Sequence, residues 1–168
     1  DVVGGPARTW IGRVAGIEEQ PVVAELGEFD CRNNRLAQIG LRQDGFEQAV
    51  AQARVRYGAE RVAVILGTST SGIAACERAY RERDAQNGSL PSWFRERETL
   101  NLYSVTDFVQ RYLRLQGPAA TISTACSSSA KAFASAARLM QAGYADAAVV
   151  GGVDSLCLTT LCRWSPQA

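Results

Sequence analysis

Residues 119–151 constrain the fold more than any other part of the chain. Ala119 to Thr124 reads as a strand, with Thr121 to Thr124 buried. Ser127 to Ala142 reads as an alanine-rich helix stopped by Gly143, and residues 146–151, DAAVVG, read as a second strand. A strand, a crossover helix and another strand in quick succession make a βαβ unit. Such a connection forces the two strands parallel and lays helices on the faces of the sheet. The predicted class is therefore a layered α/β chain.

The remaining segments fit that class. RVAVILGT, residues 61–68, is a short apolar run closed by Gly67 and reads as a buried strand. From Asn34 to Tyr57, Leu36, Ile39, Phe46, Ala49, Val50 and Ala53 recur at helical spacing, with Gly40 and Gly45 placed to split the run in two and Gly58 to end it. A loop and helix follow Ser69, Asn87 to Pro91 is a turn, and Leu90 to Glu98 is predicted as a short surface helix. Leu102 to Leu115 is amphipathic, with Leu102, Val105, Phe108, Val109 and Tyr112 on one side and Gly117-Pro118 as its end. Residues 1–30 read as loops and short extended pieces, and the closing LCRWSPQA as a loop.

Composition narrows the function. The 168 residues are 46% apolar, enough for one core, and carry a formal charge of +1, which gives no case for nucleic-acid binding. With no histidine and no CxxC, a zinc site is argued against. The five cysteines, 31, 76, 126, 157 and 162, are odd in number and irregular in spacing, as in a reducing compartment. No signal-peptide pattern opens the chain and no apolar run approaches membrane-spanning length. Since the first residue is Asp1, the chain reads as a piece of something longer.

One cysteine stands apart. In TISTACSSSAKAF, residues 121–133, Cys126 falls where the β-branched run gives way to the alanine-rich helix. Unpaired N–H groups and the positive dipole end of the helix favour thiolate over thiol there. A free N–H at such an elbow can also bond a developing oxyanion, and small neighbours let substrate approach. The competing reading is an inert, buried cysteine, the commoner fate of free thiols. Cys31, Cys76, Cys157 and Cys162 lack this setting and read as structural. GTSTSG, residues 67–72, is bracketed by glycine but lacks the ending of a phosphate loop, so a turn packed near Cys126 is the better reading. Gly151-Gly152 reads as close backbone packing.

The stretch LQGPAATISTACSSSAKAFASAARLMQAGYADAAVVGGVDSL, residues 115–156, resembles the nucleophile region of β-ketoacyl-acyl-carrier-protein synthases, condensing enzymes of the thiolase superfamily. Gly117-Pro118, Thr124-Ala125-Cys126-Ser127, the alanine-rich helix, Ala142-Gly143 and Gly151-Gly152-Val153-Asp154 carry the likeness, and AVILGTSTSG, residues 63–72, is similar to an earlier segment of the family. The resemblance implies a three-layer thiolase-like fold, of which residues 1–168 are the N-terminal half without its first strand and helix. It implies that Cys126 is the catalytic nucleophile, holding an acyl thioester with its backbone N–H in the oxyanion hole. Decarboxylative condensation with a malonyl thioester would then lengthen the acyl chain in fatty-acid or polyketide synthesis. The implied partners are an acyl carrier protein and a second subunit, in a homodimer or a ketosynthase heterodimer; no cofactor, metal, nucleic acid or membrane is implied.

The departures are equally specific. Family members take two histidines, or a histidine and an asparagine, with a lysine, from the second half of their fold, and this chain has no histidine. Lys131 lies in the nucleophile helix and is not that lysine; it reads as a solvated helix residue. LCRWSPQA departs from the family's continuation. The fragment alone is expected to be inactive. A non-catalytic partner subunit of the chain-length-factor kind, another thiolase-fold acyltransferase, and a fragment kept only for assembly stay open as alternatives.

Overall fold

A computed structural model describes residues 11–164. The expectations for residues 1–10 and 165–168 fall outside the described residues, as does the side chain of Cys162. The elements run α1 (Arg32–Leu41), α2 (Phe46–Tyr57), β1 (Val62–Gly67), α3 (Ile73–Arg81), α4 (Ser104–Tyr112), β2 (Ala119–Ile122), α5 (Ser128–Gln141), β3 (Ala147–Gly152) and α6 (Leu158–Trp164).

Among the described residues, three parallel strands form one sheet in the order β2-β1-β3. Val64 pairs with Ala119, and Val62 with Ala147. The strand with the most continuous apolar run, β1, takes the centre because both of its faces are covered, and every one of its residues is buried. Its side chains alternate between two cores. Val62, Val64 and Leu66 join Val50 of α2 and Val105, Phe108 and Val109 of α4 on one face. Ala63 and Ile65 meet Ala132 and Ala136 of α5 on the other. Fully burying a side chain such as Ile65 or Phe108 contributes about 1.5–3 kcal/mol relative to leaving it exposed. The result is a three-layer α/β fold, as expected.

Several boundaries move, for tertiary reasons. Thr121 is half-buried and Thr124 exposed, because β2 lies at the sheet edge and its pairing stops at Ile122, where β1 ends. The run 34–57 does split, at residues 42–45, but Phe46 and Ala49 face solvent and only Val50 of α2 is buried. Helix α4 starts after Leu102, which is 41% exposed rather than in the core. It also ends before Gly117-Pro118: Arg114 takes a left-handed conformation (φ 54°), and the chain reverses so that Leu115 can be buried. The short helix predicted for 90–98 is instead a single π-helical turn at Glu96–Leu100. Before it, Trp93 is held to α3, with the Arg78 guanidinium 3.8 Å from its ring centre and its Nε1 donating to Glu82. In the N-terminal loops, Ala24–Phe29 form 3-10 turns that deliver Phe29 to the core beside Phe108.

The closing segment is the largest correction: α6 runs on through residues 161–164, the first half of LCRWSPQA, which are helical, not a loop. Glu77 of α3 accepts hydrogen bonds from the N–H groups of Leu158 (3.0 Å) and Thr159 (2.8 Å) and from Thr159 Oγ1 (2.7 Å). A carboxylate far away in sequence thus satisfies the first-turn donors that local sequence leaves open.

Candidate active site at the strand-to-helix elbow

Five residues, Ser123 to Ser127, carry the chain from β2 into α5. Ala125 adopts φ 52°, a left-handed conformation that costs an L-residue about 1–2 kcal/mol. Its carbonyl offsets that strain by accepting from Ser128 N–H (3.0 Å), Ser128 Oγ (2.7 Å) and Ser69 Oγ (3.1 Å). The buried Ser128 hydroxyl also accepts from Thr124 N–H at 2.9 Å, which closes the turn on itself.

Cys126 follows Ala125 directly and precedes Ser127, the N-cap of α5. Its thiol is exposed, and its backbone pairs with Thr124 in an isolated bridge across the turn. The cysteine at this position is therefore not buried. Small residues make the turn fit: α5 packs Ala132 and Ala136 against the sheet, and the absence of a side chain at Gly67 and Gly152 admits Ser128 and Ser129. The close approach expected of Gly151-Gly152 belongs to Gly152, since a Cβ on Gly151 would meet nothing within 4 Å.

The GTSTSG loop packs on the elbow as expected, and its anchor is Asp154. One carboxylate oxygen of Asp154 accepts from Ser69 N–H (2.7 Å), Thr70 N–H (2.8 Å), Thr68 Oγ1 (2.8 Å) and Thr70 Oγ1 (2.9 Å). In the sequence, Asp154 stands within GGVD with no role assigned to it. The density of hydroxyls in TSTS, facing one acid after the last strand, was the available signal.

The other described thiols differ. Cys31 is buried before α1, and burial pushes its pKa up to about 11. Cys157 is buried with its sulfur 3.2 Å from Thr160 Oγ1. Cys76 is half-buried in α3, and its pKa is raised by burial first, then by the charges of Glu77 and Glu96. Lys131 is exposed on α5, as expected.

A parallel sheet sandwiched by helices, with a thiol exposed at the elbow between an edge strand and a close-packed helix, is the arrangement that the resemblance to the thiolase superfamily implies. Residues 37–165 match the Beta-ketoacyl synthase, N-terminal domain. The chain belongs to that family of condensing, acyltransferase-type enzymes. It is 32% identical over 134 residues to the reducing polyketide synthase rdc5 of Metacordyceps chlamydosporia, covering 79% of this chain and 5% of that protein. It is similar to a ketosynthase (ApeO) solved in complex with its chain length factor (ApeC) from Xenorhabdus doucetiae, with TM-score 0.68, 38% identity, and coverage of 82% of this chain and 34% of that chain. The fold alone is shared with AntDE:AntF, a type II PKS acyl-carrier protein in complex with its ketosynthase bound to the hexaketide. There the TM-score is 0.69 at 12% identity, over 84% of this chain and 40% of that one. The chain thus spans a minor part of each of these relatives. It is a ketosynthase-family domain, and its relative from Metacordyceps chlamydosporia is named a reducing polyketide synthase. No helix among the described residues is long and apolar enough to cross a membrane.

Proposed function

We propose that this chain is the nucleophile-bearing half of a β-ketoacyl synthase in polyketide or fatty-acid synthesis, with Cys126 as the acyl acceptor. The observation that carries this reading is an exposed thiol that follows directly on a left-handed residue, Ala125, whose carbonyl is fixed by three donors. The Cys126 sulfur attacks the carbonyl carbon of an acyl group borne as a thioester by an acyl carrier protein. The oxygen of the tetrahedral intermediate gains negative charge and takes a hydrogen bond from the Cys126 N–H. Collapse expels the carrier thiol and leaves the acyl group on Cys126. A malonyl thioester then loses carbon dioxide, and the resulting enolate attacks the same carbon. Sulfur leaves, and the product is a β-ketoacyl thioester two carbons longer.

The second step draws on groups outside this chain, which has no histidine. The surface of α5 fits a missing mate. Opposite its buried alanines, Ala130, Phe133, Ala134, Ala137 and Met140 are exposed, Phe133 by 60%. An apolar helix face this bare beside the proposed nucleophile suits cover by a second half-fold. The ApeO complex with a chain length factor and the AntDE complex with an acyl-carrier protein support a subunit and a carrier as partners.

The test is mass spectrometry of the complete condensing protein after incubation with an acyl-carrier thioester. One acyl adduct at Cys126, absent from Cys126→Ala, is the expected result. Labelling at another residue, or full elongation activity in Cys126→Ala, overturns the assignment.

A further inference from the structure

We infer that Asp154 is a positioning residue for the oxyanion donor of this site, acting through Ser69; the inference rests on Cys126 being the acyl acceptor. The chain of contacts begins with one oxygen of Asp154, which gathers the Ser69 and Thr70 N–H groups and the Thr68 and Thr70 hydroxyls within 2.9 Å. Thr68 Oγ1 in turn accepts from Ser71 N–H at 3.1 Å, so residues 68–71 wrap around a single acceptor. Ordered in this way, Ser69 directs its Oγ at the Ala125 carbonyl, 3.1 Å away, and lies 3.3 Å from Ser128 Oγ.

The Ala125 carbonyl belongs to the same peptide unit as the Cys126 N–H. A trans peptide is planar, so its C=O and N–H point in opposite directions. With the carbonyl oxygen held by Ser69 and Ser128, the Cys126 N–H is fixed on the opposite side of that peptide. No contact between Asp154 and Cys126 is needed. The left-handed Ala125 makes the support necessary, because an unsupported turn would relax toward a commoner conformation and rotate that peptide.

Two variants isolate the effect in the complete condensing protein. Ser69→Ala deletes one donor to the Ala125 carbonyl and leaves the Ser69 N–H on Asp154. Asp154→Asn keeps an acceptor oxygen but removes the charge that gathers four donors. Each variant is assayed for acyl transfer from carrier to Cys126 in a single turnover, and for alkylation of Cys126 by iodoacetamide. Alkylation displaces iodide from a saturated carbon and develops no oxyanion, so it reads the thiol alone. Loss of a whole oxyanion donor costs about 10²–10³ in rate, and a misaimed one should cost about tenfold.

The expected result is that both variants slow acylation about tenfold at saturating carrier, with KM and the alkylation rate unchanged. The double variant should be no slower than the slower single one, because both act on one peptide. Unchanged acylation in Ser69→Ala overturns the inference, as does a parallel fall of acylation and alkylation. Ser69→Ala decides alone should Asp154→Asn fail to fold. Failure of the underlying reading is separate: there, the unsubstituted protein takes up no acyl group at Cys126.

Discussion

Gly67, the last residue of β1, lies so close to α5 that a Cβ built on it would stand 2.7 Å from the backbone carbon of Ser128. The start of the Cys126 helix is thus seated on bare backbone of the central strand. Gly67→Ala should cost about 1–3 kcal/mol, as overpacking does, and should slow acyl loading because α5 must shift with its elbow. At Gly152 the obstacle is Ser129 Oγ, at 1.9 Å, a side-chain atom that can rotate away. Gly152→Ala should therefore be milder. Denaturant unfolding of both variants checks the order, and a larger loss at Gly152 would contradict it.

Thiol chemistry should be selective. Cys126 is exposed, while Cys31 and Cys157 are buried, and Cys31 is held at about 11 by burial. Three units below that value, at pH 8, about one Cys31 in a thousand is thiolate. Brief treatment of the native protein with iodoacetamide, followed by peptide mapping, should label Cys126 first, Cys76 more slowly, and Cys31 and Cys157 last. Early labelling of Cys31 would show that its buried setting is wrong.

Arg114 sits left-handed (φ 54°) just past the end of α4, where glycine pays no Cβ penalty. Its side chain is exposed. Arg114→Gly should therefore raise stability by about 1 kcal/mol, read as a higher melting temperature. A lower one would mean that the guanidinium contributes more than the backbone conformation costs.

Acid should loosen α6. Burial by itself raises the Glu77 pKa, but hydrogen bonds from Thr159 and Leu158 and the charge of Arg81 outweigh it, and the net shift is below the ordinary 4.5. A lowered folded-state value means that this contribution to stability is fully present above about pH 4.5 and is lost as pH falls through the folded value. Protection of the Leu158 and Thr159 amides from hydrogen exchange should drop over that range. Glu77→Gln should show low protection at neutral pH as well. Protection that stays constant into acid would exclude the carboxylate as the cap.

The elbow was legible in the sequence because both of its sides are local signals. A β-branched run, then small residues, then alanines at helical spacing mark the junction at Cys126 without reference to any distant residue. The burial of β1 was legible for the same reason. Leu102 and residues 90–98 depart from their expected places because helical spacing alone does not say where the core lies. The position of α4 against β1 leaves Leu102 outside, and the Trp93 contacts with Arg78 and Glu82 bind their segment to α3 instead.

Taken alone, the sequence determined the layered α/β class, the parallel connection through α5, and the place of one cysteine at the strand-to-helix junction, since each follows from spacing within one continuous stretch. Only the tertiary structure decided that Asp154 organises Thr68, Ser69 and Thr70, that Ser69 holds the Ala125 carbonyl, and that Glu77 caps α6. These are hydrogen bonds between groups far apart in the chain. No local pattern encodes their geometry until the sheet brings the ends of β1, β2 and β3 to one edge.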